Sequence, residues 1–141
     1  MSMVTIIYWS GTGNTLNMAE AIKDGVEENN DEARLIEVTS ATIEDVKDSN
    51  KIAFGCPAMG SEELEEEDFR PFMDEANKEI AGKKVALFGS YEWADGEWMD
   101  TWIEEIEDTG AELIEGLIAY DNPDDEDIEK CKNLGRKLAE I

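Results

Sequence analysis

The sequence predicts an α/β fold: a doubly wound, five-stranded parallel sheet in the order 2-1-3-4-5. Three observations carry that expectation. Five compact apolar runs alternate with amphipathic segments, the pattern of parallel strands joined by crossover helices. Two of the runs, Lys51–Cys56 and Val85–Gly89, are apolar almost throughout, as strands covered on both faces must be. A short glycine-containing loop, Ser10-Gly11-Thr12-Gly13-Asn14-Thr15, follows the first run and opens the first helical segment. Doubly wound sheets bind anionic ligands in that position.

Val4-Thr5-Ile6-Ile7-Tyr8-Trp9 reads as strand one, and Met18, Ala19, Ile22 and Val26 share one face of the helix after it. Ala33–Val38 alternates like a half-buried second strand, and a brief helix is expected around Ile43–Val46. After strand three, Phe69, Phe72, Met73, Ala76 and Ile80 fall on one helical face. After strand four, Trp98, Trp102, Ile103 and Ile106 do the same. Ala111–Ala119, interrupted at Gly116, supplies strand five, and Ile128, Cys131, Leu134, Leu138 and Ile141 mark a last helix. No internal repeat, linker or composition break divides residues 1–141, so a single domain is expected.

The first loop offers three hydroxyls, the Asn14 amide and several backbone N–H groups at a helix start, with no Lys or Arg among them. A Walker A loop is excluded because no lysine precedes Lys23. The dinucleotide fingerprint is excluded because Leu16 stands where its third glycine belongs, the glycine that allows close helix–strand packing. A terminal phosphate monoester held by neutral donors fits best. The alternative is an ordinary capped turn, since Asn and Thr are common caps.

Twelve basic residues against 36 acidic ones give a formal net charge of −24. Between Lys84 and Lys130 there is no basic residue, and Glu62, Glu63, Glu65, Glu66, Glu67 and Asp68 form a second acid-only stretch. Such a surface repels nucleic acid and favours a basic protein partner met by electrostatic steering. Taken one by one, these acids read equally as solubilising or salt-adapting groups. The absence of histidine removes His-dependent triads and argues against a zinc site. With no secretion signal and no membrane-spanning stretch, Cys56 and Cys131 are expected as free thiols in a reducing cytoplasm.

The loops after strands three and four are as unusual as the first. Pro57-Ala58-Met59-Gly60-Ser61-Glu62 combines a soft, polarizable thioether, a glycine whose peptide can rotate and a carboxylate acceptor. Ser90-Tyr91-Glu92-Trp93-Ala94-Asp95-Gly96 carries a tryptophan outside any helix or strand pattern. Trp93 is read either as a ligand-stacking ring or as packing over a neighbouring helix. Trp98 and Trp102 read as core, and Trp9 fits either role. Together the three loops outline a site for a flat aromatic ring on a phosphorylated tail, which describes flavin mononucleotide (FMN).

On these residues the chain resembles the flavodoxin family, in its short-chain form from anaerobic bacteria. Ser10–Thr15 matches the family's phosphate signature. Gly55-Cys56-Pro57-Ala58-Met59-Gly60-Ser61-Glu62-Glu63-Leu64-Glu65 resembles its flavin loop, and Lys83–Tyr91, Trp93 and Asp95–Met99 continue the likeness over nearly the whole chain.

The resemblance implies a flavodoxin-like fold and a low-potential one-electron carrier with non-covalent FMN, cycling mainly between semiquinone and hydroquinone. Ser10, Gly11, Thr12, Gly13, Asn14 and Thr15 would hold the phosphate, with Ser90 as a helper. Trp93 would stack on one face of the isoalloxazine and Met59 on the other, and Glu62 would accept from N3–H. The Gly60–Ser61 peptide would turn its carbonyl toward N5, and Pro57, Ala58, Tyr91 and Gly96 would complete the site. Several carboxylates about 10 Å away would oppose the second electron by roughly 1 kcal/mol, or about 40 mV, in water-like dielectric.

The resemblance further implies transient redox partners with basic docking surfaces, no nucleic acid, no membrane and a monomer. Ala94 stands where the family often has glycine, and Glu92 adds a carboxylate beside Trp93. Tyr120-Asp121-Asn122-Pro123 is a candidate third flavin-side loop without assigned contacts, and Cys56 reads as a small core residue. No residue reads as a general acid or nucleophile. Competing readings are a cofactor-free acidic interaction domain and an FMN-dependent reductase. The reductase would need substrate room and usually a nicotinamide site, and the short chain, the capping aromatic and the lack of extra basic residues weigh against it. A phosphorelay receiver would need acids where Trp9-Ser10 and Gly55-Cys56 stand.

Overall fold

The computed structural model describes residues 3–11, 13–28, 31–58, 64–91 and 96–141. Five parallel strands run β1 (Met3–Tyr8), β2 (Glu32–Glu37), β3 (Lys51–Gly55), β4 (Lys84–Tyr91) and β5 (Glu112–Tyr120), in the spatial order β2-β1-β3-β4-β5. Among the described residues five α-helices alternate with them: α1 (Asn14–Glu27), α2 (Ile43–Lys47), α3 (Phe69–Ala76), α4 (Glu97–Asp108) and α5 (Asp125–Glu140). The expected fold class and strand order are therefore observed.

Alternation along the strands divides the core into two layers. Val4, Ile6, Ala53, Ala86 and Phe88 face α1 and α5, where Met18, Ile22, Val26, Leu134 and Leu138 meet them. Ile7, Ile52, Phe54, Val85 and Leu87 face the other way, toward Phe69, Met73, Trp98, Trp102 and Ile106. β3 lies at the middle of the sheet and is buried at every residue, which explains its unbroken apolar sequence.

Several boundaries differ from expectation. β4 continues through Ser90 and Tyr91, because a parallel strand needs only its ladder partners, here Ala119 and Tyr120, and tolerates polar side chains at its end. Gly116 does not interrupt β5. The irregularity falls at Ile114, which the register passes over between Leu113 opposite Val85 and Glu115 opposite Ala86. Ile80 is buried as expected but lies beyond the end of α3. Ile141 is 41% exposed and does not extend the buried face of α5.

Candidate functional site

The carboxyl ends of β1, β3, β4 and β5 are tied together by hydrogen bonds beyond their ladders. Trp9 N–H donates to the Gly55 carbonyl at 2.9 Å, Cys56 N–H to Phe88 at 3.1 Å, and Ala58 N–H to Ser90 at 3.0 Å. Asp121 N–H donates to the Tyr91 carbonyl at 2.6 Å. The segments that the sequence singles out thus leave the sheet from one end, the carboxyl end of its strands.

The first loop is built around Gly13 and Ser10. Gly13 is the N-cap of α1 with φ 97°, a left-handed conformation that costs glycine little, and a Cβ there would meet nothing within 4 Å. The Ser10 hydroxyl oxygen accepts from the N–H groups of Gly13 at 3.0 Å and Leu16 at 3.3 Å. Among the hydrogen bonds of the described residues, none takes the N–H groups of Asn14 and Thr15. They are the orphan donors of the helix start, where the helix dipole favours an anion. The Thr15 and Ser90 hydroxyls lie 3.3 Å apart, both buried, joining α1 to the end of β4. The Trp9 ring packs under Gly11, its Cη2 3.0 Å from where a Cβ would stand, so this tryptophan supports the loop from the core side. The open space, two unclaimed N–H groups and two hydroxyls suit a phosphate monoester.

Pro57 and Ala58 are half-buried at the exit of β3, and Gly96, with φ 80°, is the buried N-cap of α4. Tyr91 packs against Trp98 at 5.9 Å and edge-on to Tyr120 at 5.4 Å. Thr12, Met59, Gly60, Ser61, Glu62 and Trp93 lie outside the described residues, as do Glu92, Ala94 and Asp95. Cys56 is fully buried, and burial pushes its thiol up to about 12, so it stays a neutral core group. Both cysteines are free.

Sequence reasoning missed three features. Asp121 adopts φ 54°, and Asn122 Oδ1 accepts from Asn17 Nδ2 at 3.4 Å, which docks the turn after β5 onto α1. Glu65, read as one acid in a run and as the end of the stretch that resembles the flavin loop, is 6% exposed and accepts three backbone N–H bonds. No sequence signal marked it, because the helix-start pattern is a Ser, Thr, Asp or Asn immediately before the run, and that place belongs to Asp68.

The family model described as Flavodoxin matches residues 6–135. The chain belongs to the flavodoxin family. It is 43% identical over 136 residues to the flavodoxin of Clostridium beijerinckii, covering 96% of this chain and 99% of that one. It is 44% identical over 137 residues to the flavodoxin of Megasphaera elsdenii, covering 97% and 98%. The solution structure of the two-electron-reduced Megasphaera elsdenii flavodoxin superposes with a TM-score of 0.91 at 43% identity, over 99% of this chain and 100% of that one.

Flavodoxins are FMN-binding, low-potential electron carriers that exchange electrons with redox partners, and this chain is an electron-transfer protein rather than an enzyme. Its first loop fits the FMN phosphate by the geometry just described. Among the described residues no helix is long and apolar enough to cross a membrane.

Proposed function

We propose that residues 1–141 act as one FMN-binding domain, a cytoplasmic monomer, with the phosphate in the Ser10–Thr15 loop and the isoalloxazine between the loops after β3 and β4. The observation that carries this reading is the α1 start, where Ser10 accepts from Gly13 and Leu16 and no other described residue takes the Asn14 and Thr15 N–H groups. FMN supplies one-electron redox chemistry on its ring; the protein orients the ring and sets the cost of its charge. Thr12, Thr15 and Ser90 add hydroxyl donors, and Gly11 and Gly13 keep the backbone close to the phosphate. Met59 and Trp93 would cover the ring, Glu62 would accept from N3–H, and the Gly60 carbonyl would accept a hydrogen bond from N5–H of the reduced ring. Pro57, Ala58, Tyr91 and Gly96 frame these contacts.

A net charge of −24 disfavours adding further negative charge in a low-dielectric pocket and keeps the second electron at low potential. The same charge steers a basic redox partner to the site. The phosphate assignment is tested by titrating apoprotein with FMN and with riboflavin, which lacks the phosphate. FMN is expected to bind at least about 100-fold tighter, as several charge-assisted hydrogen bonds require. Equal affinities would remove the phosphate from the loop.

A further inference from the structure

Glu65 uses every polar group it has. Its Oε1 accepts from the N–H groups of Asp68 at 2.7 Å and Phe69 at 2.8 Å, and its Oε2 from Glu67 at 2.8 Å. Its carbonyl accepts from Arg70 N–H at 2.8 Å, and its own N–H donates to Cys56 Sγ at 3.4 Å. The chain therefore leaves β3 at Cys56 and returns to the sulfur of the same residue eight positions beyond Pro57. Between these points, Ala58 is pinned to the Ser90 carbonyl.

Burial alone would raise the Glu65 carboxyl, yet the N–H groups of Phe69, Asp68 and Glu67 outweigh it and hold the group below its ordinary range. A buried carboxylate is a costly way to start an eight-residue helix. The starts of α2 and α5 are capped by Thr42 and Asp124, both solvent-exposed and each in a reciprocal capping box. Asp68, the N-cap of α3, makes no side-chain cap. The difference is what precedes each helix: of these three, α3 is the one that follows the loop after β3, assigned to the flavin ring.

We propose that Glu65 is a positioning residue for the flavin loop: by its bond to Cys56 and its three N–H bonds it ties the end of β3 to the start of α3, the two ends from which the loop reaches FMN. The inference rests on the FMN reading above. In Glu65→Ala all three side-chain bonds are lost. In Glu65→Gln the remaining carbonyl oxygen keeps Asp68 and Phe69, while the amide nitrogen faces another donor at Glu67.

The test compares these variants with Thr42→Ala, which removes a helix cap outside the loops of the site. Three quantities are read: FMN affinity of the apoprotein, the ratio of the two one-electron reduction constants, and amide hydrogen exchange of Leu64–Phe69. Glu65→Ala is expected to weaken FMN about tenfold and Glu65→Gln about threefold, as graded loss of charge-assisted hydrogen bonds requires. The ratio of reduction constants is expected to change by at least about threefold in Glu65→Ala, with faster exchange at Glu67, Asp68 and Phe69. Thr42→Ala should lose stability and change none of the three.

Should Glu65→Ala fail to fold, Glu65→Gln carries the comparison alone. Normal FMN uptake by the wild type, with unchanged affinity and reduction constants in the Glu65 variants, overturns the positioning role. A wild-type apoprotein that takes up no FMN overturns the functional reading instead.

Discussion

The two faces of the sheet are packed by opposite means. On one, α1 and α5 cross backbone to backbone: a Cβ at Gly25 would overlap the Lys132 carbonyl, and a Cβ at Gly135 would overlap that of Ile22. On the other, α3 and α4 meet through large rings, Phe69 and Trp102 edge-on at 5.6 Å, and through Arg70, whose guanidinium holds both Glu105 oxygens at 3.0 and 2.6 Å. That second face contains an open cavity of about 390 Å³ lined by Leu64, Glu66, Arg70, Trp98, Thr101, Trp102 and Glu105. Among the described residues it also holds buried polar atoms without partners, Asn77 Oδ1 and Trp102 Nε1. The close-packed face carries the helix that starts at the phosphate loop. The less filled face carries the segments leading into and out of the ring loops. A fixed anchor is thus built where the ligand must be held, and tolerance is left where the loops tune it.

The largest effect is expected from Gly135→Ala. The added methyl has no room against a backbone carbonyl, so the α1–α5 crossing must open at a cost of about 3 kcal/mol, read as a lower unfolding midpoint in denaturant. A loss under about 0.5 kcal/mol would break the contrast between the faces. Next comes Ser10→Ala, which frees the Gly13 and Leu16 N–H groups at the anchored end. It should cost about 1 kcal/mol of stability and about tenfold in FMN affinity by fluorescence titration. The smallest effect is Thr101→Leu, which adds volume into the cavity of the other face and should stay within about 0.5 kcal/mol of the wild type. A cost comparable to Gly135→Ala would mean that both faces are equally filled.

The anchored region was legible because its signals are local. β1, the loop and α1 are contiguous, and the helical spacing of Met18, Ala19, Ile22 and Val26 needs no knowledge of the partner α5. What the sequence withheld depends on contacts between distant segments. The extension of β4 to Tyr91 is set by its pairing with β5, and the docking of Asn122 on Asn17 spans the fold. Glu65 was hidden for another reason. Charge patterning reports a carboxylate's sign and not its burial, so one acid accepting three N–H bonds looked like its five neighbours in the run. Gly25 and Gly135 likewise gave no warning, since a glycine inside a helical pattern reads as a weakness until the facing backbone is known.

The most direct test of a one-electron carrier anchored by neutral donors is an anaerobic redox titration of the FMN-loaded protein, followed by visible absorption. The account predicts two separated one-electron steps, the second at low potential, with FMN retained throughout. A single two-electron step at the potential of free FMN, or FMN released on reduction, would contradict it.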